Sequence, residues 1–139
     1  MSFEVFMQCF TEGERDGIPA AEVQRAFGSQ LQVGEEDWWK VVYDEQNWCD
    51  LLVGFLPPDR KRVHSLSVQR PCGDQRLWNA LLAILKLGNV VLYFPAKKPP
   101  LLVADPLVAE HLPKDLVESM GAVTRVSHVQ DILDEIRKA

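Results

Sequence analysis

Long apolar runs are missing from this chain. The longest, Leu81 to Leu85 and Val90 to Phe94, fall far short of the roughly 20 residues a membrane-crossing helix needs, so no membrane partner is expected. The opening residues Met1 to Met7 lack the basic segment, apolar stretch and small-residue cleavage site of a secretory leader. Cysteine is scarce: Cys9, Cys49 and Cys72 are odd in number, widely spaced and without a C-x-x-C pair. That fits reduced thiols in a cytoplasmic protein better than a disulfide scaffold or a zinc site. His64, His111 and His128 show no metal-ligand spacing, and no acidic segment has the spacing of a calcium loop, so no metal is expected. The phosphate-binding G-x-x-x-x-G-K-[ST], the dinucleotide G-x-G-x-x-G and the nucleophile elbow G-x-S-x-G are all absent, and no cofactor is expected. With no internal repeat, low-complexity tract or linker, residues 1–139 read as one globular domain.

What the chain does contain is an ordinary core composition. Of its 139 residues 47% are hydrophobic and 25% charged, a length at which about two-thirds of the unfolded surface leaves water on folding. Charge is unevenly distributed. Residues 1–50 hold three Lys/Arg against eleven Asp/Glu, residues 51–100 eight against two, and residues 101–139 four against seven. An acidic first third argues against a nucleic-acid surface, whose affinity rests on phosphate neutralisation, and suits a basic protein partner.

Hydrophobic periodicity predicts the elements. Phe3 to Phe10 alternates as an opening strand, and Pro19 followed by Val23, Ala26, Phe27 and Gly28 reads as a short helix with a glycine cap. Ser29 to Asp37 has no sustained period and reads as a loop. It leads into a hairpin with arms Trp38 to Asp44 and Trp48 to Leu56. Val63 to Arg70 alternates as a half-buried strand, Asp74 is placed to cap a core helix through Leu85, and Val90 to Phe94 reads as a strand buried on both faces. Leu101 to Ala104 and Val123 to Val126 read as short strands, Leu107 to Leu112 as a brief helix, and Pro113 as the start of a helix burying Leu116, Val117 and Met120. Ser127 with Gln130 resembles a capping box before a terminal amphipathic helix. The expected fold is α/β of the α+β kind: a mixed, mostly antiparallel sheet of about five to six strands with helices packed on it.

Two constellations carry functional weight. The first is the hairpin, where Trp38 and Trp39 sit among Glu35, Glu36, Asp37, Asp44 and Glu45. Adjacent strand residues point to opposite faces, so at most one tryptophan enters the same core layer unless the strand is covered on both sides; the other is a candidate aromatic anchor in an acidic rim, against the bland reading that loops or helices cover both. The second is the corner Arg70-Pro71-Cys72-Gly73-Asp74. A helix N-terminus and flanking arginines favour a thiolate, which makes Cys72, Arg70 and a base such as His64 the candidates for thiol chemistry. The favoured reading of the same corner is a structural turn in which Cys72 is a small buried hydrophobe, Gly73 relieves the backbone and Asp74 caps the helix.

The segments Ser2 to Phe10, Arg70 to Asp74 and Gly88 to Pro95 resemble a family of small uncharacterised bacterial proteins, over the chain up to about Leu112. The resemblance implies a bacterial, cytoplasmic protein and carries no site residue with it. In size and charge such domains are also similar to immunity proteins that neutralise toxins. The reading is therefore a non-enzymatic protein-interaction module, an immunity-like inhibitor docking through its acidic aromatic hairpin. The alternative is a small thiol-dependent enzyme or ligand-binding domain around Cys72. Homo-oligomerisation through a sheet edge is compatible with either.

Overall fold

The computed structural model describes residues 3–138. Its strands are β1 (Glu4–Thr11), β2 (Glu14–Arg15), β3 (Ile18–Pro19), β4 (Leu31–Val33), β5 (Trp38–Val42), β6 (Trp48–Phe55), β7 (Arg62–Gln69), β8 (Val90–Tyr93), β9 (Leu101–Val103) and β10 (Val123–Arg125). The helices are α1 (Ala20–Phe27), α2 (Gln75–Leu85), α3 (Lys114–Ser119) and α4 (Val129–Lys138), with 3₁₀ turns at Gly28–Gln30 and Pro106–His111. One sheet runs β10-β9-β8-β1-β7-β6-β5-β4, with β2 added to β1 and β3 to β7. Among the described residues only the β9–β10 pair is parallel, so the fold is α+β with a mixed sheet.

Ten strands correct the expected five to six. The additions are short: β2 and β3 have two residues each and β4 has three, too few to display a period of two. β2 folds back on β1 because Glu12 and Gly13 both take positive φ, 51° and 79°, the backbone of a two-residue primed hairpin turn. β4 lies within the expected loop Ser29 to Asp37 and is ordered by its neighbour, Leu31 pairing with Val41 and Val33 with Trp39.

Alternation decides what each face meets. Val5, Met7 and Cys9 of β1, Leu66 and Val68 of β7, Leu51 and Val53 of β6 and Trp39 and Val41 of β5 point inward. They form one apolar cluster with Val23 and Phe27 of α1, Leu77, Leu81 and Ile84 of α2 and Ile132 of α4. Each such side chain contributes roughly 1.5–3 kcal/mol on burial. The second face is covered only at the β8–β9 end, where Phe10, Val91, Leu101 and Val103 pack with Val108 and Leu112. That cover explains why β8 is apolar at every position. Over β1, β7, β6 and β5 the second face meets solvent.

Local corrections follow from the same geometry. Val117 of α3 points outward, leaving Leu116 and Met120 to pack. The capping contact of α4 uses Asp131 in place of Gln130: its Oδ2 accepts the backbone N–H groups of Ser127 and His128 at 2.9 and 3.0 Å, and this holds the Asp131 carboxyl below its ordinary value. Asp74 caps α2 by accepting the Arg76 N–H at 2.9 Å.

The β2–β3 connection hangs on Asp16, which accepts from Thr11 Oγ1 at 2.6 Å, from the Gly17 N–H at 2.8 Å and from the Arg62 guanidinium. These donors favour the carboxylate and hold its pKa below the ordinary 3.8. A depressed carboxyl contributes stability that is present above 3.8 and lost as pH falls through the folded value. Asp16→Asn is therefore expected to cost about 1 kcal/mol in urea unfolding at pH 7, the figure for a partly exposed site. The gap to wild type should narrow as pH falls below the ordinary carboxyl value of 3.8. A gap that persisted in acid would mean the carboxylate is not the stabilising form.

Candidate functional site

The pairing register lays the solvent face out in rows. Phe6 faces Tyr93 and Ser67, Ser67 faces Leu52, and Leu52 faces Trp38, giving an apolar row across four strand junctions. Beside it runs a polar row, Glu4 with Gln69, Gln69 with Asp50, Asp50 with Lys40 and Lys40 with Gln32. Beyond that row Trp48 pairs with Val42. Large apolar side chains therefore stand exposed on both sides of the polar row: Trp38 is 51% exposed, Trp48 44% and Leu52 38%.

Both indoles are oriented by neighbours. Trp38 Nε1 donates to Asp50 Oδ1 at 3.1 Å, and the Lys40 ammonium sits 4.5 Å from the Trp48 ring centroid, a cation–π distance. Gln69 Nε2 donates to Glu4 Oε2 at 3.1 Å, and Tyr93 Oη donates to Gln8 Oε1 at 2.9 Å with its ring 5.5 Å from that of Phe6. An open groove of about 520 Å³ runs between the tryptophans, lined by Trp38, Trp48, Asp50, Gln46, Gln69 and Arg70 among others.

The acidic residues divide between the two ends of the hairpin. Glu35, Glu36 and Asp37 form the turn before Trp38, where Glu36 takes φ 60°. Asp44 and Glu45 form the turn before Trp48. Seven residues of extended chain put Asp37 and Asp44 roughly 20 Å apart, so each tryptophan has its own acidic flank. Asp37 pairs with Arg60 at 3.1 Å, and Arg60 also donates to the Glu36 carbonyl and stacks 4.4 Å from the Phe55 ring. Asp44 Oδ1 accepts the N–H groups of Gln46 and Asn47, both at 2.8 Å, and the Asn47 amide bonds to its carboxylate as well; these donors depress its pKa. Glu35, Glu36 and Glu45 are exposed.

Of the predicted binding residues, Trp39 is the correction. It is 1% exposed, packed edge-on against Phe55 with ring centroids 6.1 Å apart, because its pleat position faces the helices. It belongs to the core and presents nothing to a partner. Reading the hairpin as two strands in register would have placed Trp48, Asp50 and Leu52 on the face of Trp38; the missing signal was the register itself.

The thiol candidates are not brought together. His64 stands near the start of β7, buried, its Nδ1 3.0 Å from the Asp16 carbonyl oxygen and its ring edge-on to Phe10. Cys72 lies beyond the opposite end of that strand. Arg70 turns the chain with φ 51°. Asp74 occupies the N-terminus of α2 and engages the Arg76 guanidinium at 2.9 and 3.0 Å, so the carboxylate takes the position that would favour a thiolate. Among the described residues no three His, Cys, Asp or Glu are grouped to hold a metal ion, and no helix is long and apolar enough to cross a membrane.

A second depression, about 580 Å³, lies between the end of α2 and the Pro106–His111 turn. Three of its polar side chains are engaged internally: Asp105 accepts the Leu107 N–H at 3.0 Å, His111 Nδ1 accepts the Glu12 N–H at 3.2 Å, and the Asn89 amide donates to Thr11. The hairpin groove keeps its aromatic faces open. No family model matches the chain, and no curated protein or solved structure matches it either.

Proposed function

We propose that the chain is a protein-binding module, an immunity-like inhibitor, whose recognition surface is the solvent face of the β5–β6 hairpin. The observation that carries this reading is the pair of half-exposed tryptophans on one sheet face, each held in place and each flanked by acids. Aromatic residues at the centre of a patch with a charged rim are the composition of interface hot spots. Orientation by Asp50 and Lys40 lowers the ordering cost of binding. The acidic flanks at Glu35, Glu36, Asp44 and Glu45 select a partner presenting Lys or Arg beside an apolar contact, and would speed its encounter.

The test is selection of ligands from a random peptide library against the native chain, followed by affinity measurements on variants. Selected peptides are expected to pair basic with apolar residues. Trp38→Ala and Trp48→Ala should each weaken them about tenfold, a loss of roughly 1.4 kcal/mol. Affinity should also fall with added salt. Ligands indifferent to both tryptophans and to salt would sink the reading.

A further inference from the structure

We propose that Cys49 and Cys72 form a site of covalent oxidation, closing to an intramolecular disulfide that ties the corner after β7 to β6. The last rung between these strands pairs Asp50 with Gln69, so Cys49 stands one residue beyond it on β6 while Cys72 lies three residues beyond it, past the end of β7. Arg70 turns the backbone there with φ 51°, anchored by its N–H to the Phe3 carbonyl at 3.0 Å. The Cys72 carbonyl accepts Trp78 Nε1 at 3.1 Å, which holds the corner against the core. Cys72 consequently packs on the apolar cluster that contains Cys49. The Tyr43 hydroxyl is buried and has no hydrogen-bond partner among the described residues; the Arg76 guanidinium lies 4.8 Å from its ring centroid.

The two thiols differ in access: Cys49 is buried and Cys72 partly exposed. Oxidation by a peroxide accordingly starts at Cys72. Its sulfur attacks a peroxide oxygen, the O–O bond breaks, and with hydrogen peroxide Cys72 becomes a sulfenic acid as water leaves. The Cys49 sulfur then attacks Cys72 Sγ, the S–O bond breaks, and the hydroxide leaves as a second water with the Cys49 proton. Both sulfurs are oxidised and one peroxide is reduced to two waters. Cys9, on β1 and buried beside His64, stands apart from the pair.

The test is exposure of the reduced native protein to a small excess of hydrogen peroxide, then alkylation, tryptic digestion and mass spectrometry. Arginine and lysine positions leave each cysteine in a separate tryptic peptide, so the linkage reads out directly. The expected product has lost two hydrogens, joins the Cys49 and Cys72 peptides and leaves Cys9 alkylated. It should form equally in Cys9→Ala and not in Cys72→Ser. Because the bond closes a loop of more than 20 residues, the oxidised protein should melt about 5–10 °C higher, a gain removed by dithiothreitol. Stable sulfenic or sulfinic acid at Cys72 without the cross-link, or bonds only between molecules or to Cys9, would overturn the assignment.

Discussion

Trp39→Ala is expected to cost roughly 3–5 kcal/mol in denaturant unfolding, the range for truncating a large aromatic in a packed core. Trp38→Ala, one residue away, should cost under about 1 kcal/mol. The contrast follows from the pleat. Trp39 is enclosed in the apolar cluster, edge-on to Phe55 and opposite Leu51, so its loss leaves a void that neighbours on a regular strand cannot collapse to fill. Trp38 is half in water, and its removal forfeits one hydrogen bond to Asp50 and the cross-strand contact with Leu52. Against a total stability of about 5–15 kcal/mol for an ordinary domain, the first variant approaches unfolding and the second remains folded. Circular dichroism in guanidinium separates them without relying on tryptophan emission. Equal costs would mean that β5 is paired one residue out of register, which would reverse both faces.

Alkaline pH should destabilise the reduced protein. Burial pushes the Cys9 thiol up from 9.0 to about 11 and the Cys49 thiol to about 12, and it raises Tyr43 as well. A raised acid is neutral in the folded chain when it already ionises in the unfolded one. Its stabilising contribution is therefore complete below pH 9 and is lost as pH rises through the folded value. Two units at Cys9 correspond to about 3 kcal/mol, with at least as much at Cys49. Stability measured in urea under reducing conditions should fall steeply between pH 9 and 12, and Cys9→Ala should flatten that slope while lowering the plateau through lost packing. A flat profile to pH 11 would show that the thiols ionise in place, reached by water.

Much of the fold was legible in the sequence wherever an element was long enough to show its period. β1, the β5–β6 hairpin, β7, α2 and α4 were each signalled by a stripe or an alternation of five residues or more, and Asp74 and Gly28 marked boundaries. β2, β3 and β4 were not, since two or three residues carry no period and these segments become strands only by pairing with a neighbour already in place. The capping of α4 was misplaced by one position because Gln130 and Asp131 are adjacent and both polar; the helix start decided which reached back.

The site divides along the same line. That Trp38 and Trp39 must part company was determined by the sequence alone, since adjacent strand residues cannot share a face. Which of them met the core depended on where the helices lay, and that is a property of the whole sheet. Composition likewise predicted acids around the hairpin, but the two turns separated them into flanks at its opposite ends. The Arg70–Asp74 corner showed a cysteine at a strand-to-helix junction, and the length of β7 parts it from His64. Its nearness to Cys49, 23 positions earlier in the chain, arose from the antiparallel return of β7 along β6. Local chemistry and periodicity act within a few residues and survive in a linear reading; register, face and thiol proximity join distant segments and exist only once the sheet has closed on its helices.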